Sequence, residues 1–244
     1  MKQILSLFLL LMPPLWSIAQ QDPATNQQIL EQIGNLSPFS PGILGFDNRY
    51  EGVKGSPYLF DTWTSGRIKF TQKDSLSLPL IFNVDLLENL VFVRLKGDLM
   101  GTVATAQVEM MEVKATDKML RQWVVKQERE VEGSKSNKHT FYEVLYAGKS
   151  LQLLKKMEKQ FRKADYKQAY GTDTRYDEFI SETHYWLKQD DAPYQKIKLN
   201  QKSFEKGLPG LATDIKKLVT EHRLDLKEEA DSARLLEFLE ASRR

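Results

Sequence analysis

The sequence predicts a mainly β fold: an antiparallel β-sandwich or barrel-like sheet of about ten strands with C-terminal α-helices. Two observations predict it. From Tyr58 onward, apolar residues recur with a period of two, in short runs broken by turn-forming stretches roughly every 8–12 residues. After Leu199 the period becomes that of an amphipathic helix.

Residues 1–19 read as a signal peptide. Lys2 precedes the apolar run Ile4 to Leu11, then Pro13-Pro14 and the small-x-small ending Ser17-Ile18-Ala19. The run is too short for a membrane span, which needs about 20 apolar residues. Residues 20–57 read as a short helix and an irregular lead-in. Thr25 and Gln28 form a capping box, Ile29, Leu30 and Ile33 share one face, and Gly34 suits the position past the end. Residues 35–57 are rich in Pro, Gly, Asn and Ser. They also hold Phe39, Ile43, Leu44, Phe46 and Tyr50, which are expected to cover one end of a core.

Residues 58–200 read as the antiparallel β domain. Tyr58 to Trp63 is the first expected strand, Thr64-Ser65-Gly66 a turn and Arg67 to Thr71 the returning strand. Strands follow at Leu78 to Val84, Leu90 to Leu95, Ala106 to Val113 and Met119 to Val125. Glu128 to Lys138 is charged and carries Gly, Ser and Asn, as a loop does. Phe141 to Tyr146 opens a hairpin through Ala147-Gly148-Lys149. Residues 150–163 fit a helix through Leu154, Met157 and Phe161, and a strand through Leu151, Leu153, Lys155 and Met157. The hairpin needs a partner, so a strand is expected. Tyr176 to Leu187 and Tyr194 to Leu199 make a last pair around Asp190-Asp191-Ala192-Pro193.

Residues 201–244 read as a helical cap packed on the β domain. Asn200 caps a short turn that ends at Gly207. Leu211, Ile215, Leu218, Val219 and His222 form an amphipathic stripe. Asp225 and Glu228 make a second capping box. The helix it opens turns Leu235, Leu236, Phe238 and Leu239 inward and ends in Arg243-Arg244, where cations are favoured.

Composition narrows the chemistry. The 244 residues contain no Cys, so disulfides, thiolate catalysis, Cys-ligated zinc and lipid anchoring through Cys are excluded. An exported chain of this size without Cys points to a Gram-negative periplasm, or to an outer-membrane-associated or extracellular location. A formal net charge of +2 implies no nucleic-acid partner. No cofactor motif is present. Gly52-Val-Lys-Gly55 precedes Pro57 and a strand, the wrong context for a phosphate or nucleic-acid clamp.

Several blocks carry a resemblance. They are Tyr50-Glu-Gly-Val-Lys-Gly-Ser-Pro-Tyr-Leu-Phe60 with Trp63, Phe141-Tyr-Glu-Val-Leu-Tyr-Ala-Gly-Lys149 with Leu153-Leu-Lys-Lys156, Ala164-Asp-Tyr166 with Tyr170 and Tyr176-Asp-Glu-Phe179, and Lys198-Leu-Asn-Gln-Lys-Ser-Phe204. Together they resemble a family of secreted, signal-peptide-bearing proteins of Gram-negative bacteria with no assigned activity. The resemblance implies export and a β-rich fold, and it supplies no catalytic residues.

Three groups of residues are candidate sites. From Lys149 to Lys167, seven basic side chains stand against Glu158 and Asp165. Lys155, Lys156, Lys159, Arg162 and Lys163 could face an envelope protein, anionic lipid or polysaccharide, or could pair across the sheet with the acidic stretch Asp173 to Asp191. Glu182 and His184 share a strand face and, with Asp190 and Asp191, are the nearest approach to a metal or acid–base cluster. Tyr58, Phe60, Trp63, Phe82, Phe92, Trp123, Phe141, Tyr185 and Trp186 could line a cavity, or fill a core. The expected function is a non-catalytic cell-envelope binding or adaptor protein. The alternatives are a periplasmic carrier of a lipid-like apolar ligand and a hydrolase using carboxylates among Asp173, Asp177, Glu178 and Glu182. An integral membrane protein is not expected, because charges fall in most strands.

Overall fold

Period-two alternation builds one antiparallel sheet, seen in a computed structural model that describes residues 25–33, 40–43, 50–96, 99–114, 120–164 and 176–242. Helix α1 (Asn26–Ile33) precedes strand β1 (Ser40–Ile43). Then come β2 (Thr64–Phe70), β3 (Leu80–Asp85), β4 (Leu90–Arg94), β5 (Leu99–Ala104), β6 (Val108–Lys114) and β7 (Leu120–Gln127). Helix α2 (Glu128–Glu132) separates these from β8 (His139–Ala147), β9 (Leu151–Arg162), β10 (Glu178–Gln189) and β11 (Gln195–Ile197). The helices α3 (Gln201–Gly207), α4 (Ala212–His222) and α5 (Glu229–Ser242) close the described chain. The strand order is β1-β5-β4-β3-β2-β6-β7-β8-β9-β10-β11. The expected fold class holds, and the sheet is single and open: its two end strands, β1 and β11, each pair on one side only.

Connectivity forces this sheet to curl. Strands β5 and β6 stand four steps apart in the order, about 19 Å if the sheet were flat. Only the 3-10 turn Thr105–Gln107 joins them, a length that reaches at most about 14 Å. The first core fills the resulting curl, with Ile68, Phe70, Phe82, Val84, Val91, Val93, Met111 and Trp123 alternating inward. Ile29 of α1 closes it. The predicted capping box is formed there: Thr25 N–H donates to Gln28 Oε1 at 2.8 Å and Gln28 N–H to Thr25 Oγ1 at 3.3 Å. Leu30, expected on the same face as Ile29, is exposed instead.

The same inner face continues over β8 to β11, where Leu151, Leu153, Leu187 and Ile197 meet Phe204, Ile215, Leu235, Leu236 and Leu239 of the helices. In this second core the C-terminal helices pack on the sheet. Across the sheet, a smaller cluster of Val131, Tyr142, Leu154 and Trp186 packs under α2.

Several local expectations change. Thr64-Ser65-Gly66 is the start of β2, not a turn. Gly66 is there for close approach: a Cβ would collide with the Glu112 carbonyl of β6. Tyr58 to Trp63 is no strand and forms one bridge, Tyr58 to Asp85. Glu128 to Lys138 contains α2, opened by Glu128 and Glu130 in its first turn and closed by left-handed Gly133, φ 63°. Residues 151–162 are strand, as the hairpin required. Strands β1 and β5 were not expected. The expected signal peptide, residues 34–39 and 44–49 of the lead-in, and Arg243-Arg244 lie outside the described residues.

Candidate functional site

Alternation along β9 divides the basic segment between two sheet faces. Lys155 points inward, where its ammonium lies 3.3 Å from Glu143 of β8 and 2.9 Å from Glu229 of α5. Lys156 points outward under α2. It is 3% exposed, with Glu128 at 3.0 Å and Glu132 and Glu158 each at 2.5 Å. Lys159 donates to Ser181 Oγ at 2.7 Å, and Arg162 pairs with Glu178 across the strands. Lys163 is exposed just past the strand. Of the five, then, Lys155 and Lys156 are taken up by carboxylates from β8, α2, α5 and β9 itself, and are not free for a partner.

The Lys156 cluster is structural electrostatics. Burial alone would lower the lysine's pKa, but contacts with Glu132, Glu158 and Glu128 outweigh it and hold the ammonium above its ordinary value. Burial likewise pushes the Tyr142 phenol up, reinforced by its 2.8 Å hydrogen bond to Glu132. These contacts pin α2 to the sheet.

Glu182 and His184 do share the outer face of β10, at 3.6 Å. Glu158, across on β9, joins them, so three ligand atoms fall within 4.8 Å of one another. Glu158 is already bonded to Lys156. Asp190 and Asp191 lie in the turn at the far end of β10, outside this group. The carboxylates proposed for hydrolysis do not converge: Asp177 accepts the Ala164 N–H at 2.7 Å, Glu178 pairs with Arg162, and Glu182 sits by His184. Asp173 lies outside the described residues.

Most of the aromatic residues divide between cores. Phe82, Trp123 and Phe141 belong to the first, with Phe60 edge-on to Trp123 at 5.3 Å. Trp186 belongs to the outer cluster. Beside Phe60 and Trp123 a cleft of about 560 Å³ opens at the margin of the first core. Its lining includes Asp61, Lys114, Arg121, Glu143 and Lys155, cations and anions together.

A larger groove, about 740 Å³, lies at the corner formed by β10, β11 and α3. Its shape comes from local sequence. Strand β11 is only three residues long, so the chain leaves the sheet edge at Lys198. Asn200 then caps α3, its Oδ1 accepting the Ser203 N–H at 2.9 Å. Gly207 lets α3 approach the sheet, where a Cβ would stand 3.0 Å from Leu187 Cδ2. Thr183, Tyr185, Gln195, Leu199 and Ser203 line the groove with Lys196, Lys198 and Lys206. Among the described residues, no Asp or Glu lines it. The signal was in the sequence: Lys196, Lys198, Lys202 and Lys206 fall within a short stretch that holds Glu205 as its one acid. Alternation and helix spacing disguised it as ordinary solvated faces.

No family model, curated protein or solved structure matches the chain.

Proposed function

We propose that this protein is a non-catalytic binding or adaptor protein of a Gram-negative cell envelope that engages an anionic partner at the groove between β10, β11 and α3. The observation that carries the reading is the groove's lining: three lysines and, among the described residues, no carboxylate. A site of one sign attracts the opposite charge and focuses it in a concave wall. Export rests on Lys2, the apolar run to Leu11 and Ala19, and on the absence of Cys. Among the described residues no helix is long and apolar enough to cross a membrane.

The carrier reading draws less support. An apolar ligand in the inner cleft would strand Arg121, Glu143 and Lys155 away from water. The hydrolase reading draws no support from its own candidates, since Asp177, Glu178 and Glu182 are each engaged with a different partner.

Retention on an immobilised polyanion, heparin, tests the proposal. The mature chain is expected to bind and to elute with salt. K198E/K206E is expected to elute far earlier than K216E/K217E, which makes the same charge change on exposed α4 positions. Equal elution of the two variants would contradict the groove as the anionic site.

A further inference from the structure

The groove borders a gap in the sheet. Strand β10 pairs with β9 along its whole length, from Glu178 with Arg162 to Gln189 with Leu151. On its other edge β11 covers only Tyr185, Trp186 and Leu187. At the opposite end, Lys54 docks on that same edge, its N–H donating to the Asp177 carbonyl at 2.9 Å and its carbonyl accepting the Phe179 N–H at 2.8 Å. The Phe179 contact fixes which residues turn their backbone groups outward. By alternation they are Phe179, Ser181, Thr183 and Tyr185. Lys54 serves the first and Ile197 faces the last. The outward N–H and carbonyl of Ser181 and Thr183 have no backbone partner among the described residues. Ser181, Glu182 and Thr183 are also consecutively exposed, so no described residue covers either face or the edge there.

We infer that this window receives a short extended segment of a partner protein, added to the sheet beside β10 and carrying acidic side chains on the side facing α3. The inference rests on the anionic-partner reading of the groove. A strand edge supplies affinity through main-chain hydrogen bonds, and pockets beside it read alternate side chains. Phe179 to Tyr185 spans about 20 Å, and with Lys54 and Ile197 holding its two ends about 13 Å remains, room for a segment of about four residues. Charge chooses the occupant. Lys198 and Lys206 line the groove, Lys206 from α3 itself, and Lys54 stands at the far end of the window. A second copy of the chain fits poorly: a symmetric pairing of two windows would set Glu182 against its own copy.

The test uses the mature chain and fluorescein-labelled ten-residue peptides read by anisotropy. The first peptide alternates Glu and Val. The second has the same sequence with alternate backbone nitrogens methylated, which keeps its charge and removes donors along one edge. The account expects the first to bind and the second to bind at least tenfold more weakly. It expects Thr183→Pro to weaken the first at least tenfold. That variant removes an outward N–H at a sheet edge, where proline is tolerated; an unchanged melting temperature confirms folding. Equal binding of both peptides, with loss in K198E/K206E, would overturn strand addition and leave the groove reading standing. Binding unaffected by K198E/K206E would overturn the groove reading itself. A wild-type dimer in sedimentation that Thr183→Pro makes monomeric would overturn the heterologous partner in favour of a second copy.

Discussion

Glu240 stands where a side chain on Gly148 would have to go. Its carboxylate, on the last helix, fills the space over the β8–β9 turn and would collide with a Cβ at that glycine. From there it accepts the N–H groups of Ser150 and Leu151 at 2.7 Å each and of Lys149 at 3.0 Å. One side chain thus ties α5 to the hairpin that launches β9, the strand whose side chains serve both faces of the sheet.

Gly148→Ala is therefore expected to expel the carboxylate and loosen α5. Three backbone donors would lose their charged acceptor. They are partly reached by water, so the cost is about 1–2 kcal/mol. Urea denaturation checks it. Glu240→Ala should cost a similar amount, and the double variant should cost much less than the sum.

Lys156→Met should cost more, about 3–5 kcal/mol, because Glu128, Glu132 and Glu158 would keep their charges without the ammonium between them. Adding Glu132→Gln should recover part of the loss. Thermal melts of the single and double variants test the ordering.

Stability should fall at both ends of the pH scale. Lys156 is held above its ordinary value, so its contribution is complete below about 10.4 and is lost as pH rises through the folded value. The raised Tyr142 phenol acts in the same direction, and Tyr142→Phe should shallow the alkaline limb. Glu128 and Glu240 are depressed below 4.5. For Glu128 burial opposes the shift, and Ser136 and Lys156 overcome it. For Glu240 slight burial opposes it, and the backbone N–H groups of Ser150, Lys149 and Leu151 overcome it. Their contributions are present above 4.5 and are lost as pH falls through the folded values. A melting-temperature profile from pH 3 to 11 reads both limbs.

Asn200→Ala should cost about 1 kcal/mol by leaving the Ser203 N–H without its cap. It should also loosen the groove, since Ser203 and Lys206 are placed by that helix. Weaker retention on heparin with little loss of melting temperature is the expected pair of results.

What the sequence made legible follows from distance along the chain. The Thr25 and Asn200 caps and the β8–β9 hairpin depend on neighbours a few residues away, and they formed as read. The Asp225–Glu228 capping box did not form: α5 begins at Glu229, and Asp225 orders the turn before it. Asp225 Oδ1 accepts the Lys227 N–H at 3.0 Å, and the side chain that reaches back to the Asp225 N–H belongs to Asp231, not Glu228. Gly66 misled because a strand glycine needed for close approach looks like a turn glycine in one dimension. Helix α2 was hidden in a charged stretch because its buried residue is Val131 alone. The basic segment was visible as charge. What decides its use is Glu143, Glu229, Glu128 and Glu132, which only the fold brings to Lys155 and Lys156. The groove lysines fall in one short basic stretch, but they come from a strand end and a helix, so their spacing read as ordinary solvated faces.

The most direct measurement is amide chemical-shift mapping of the isotope-labelled chain from Gln20 onward during titration with the Glu-Val peptide. The account predicts the largest shifts at Ser181 and Thr183, with a second set at Lys198, Ser203 and Lys206. Shifts centred instead on Trp123 and Glu143 in the inner cleft, or on Lys163 beyond β9, would contradict it.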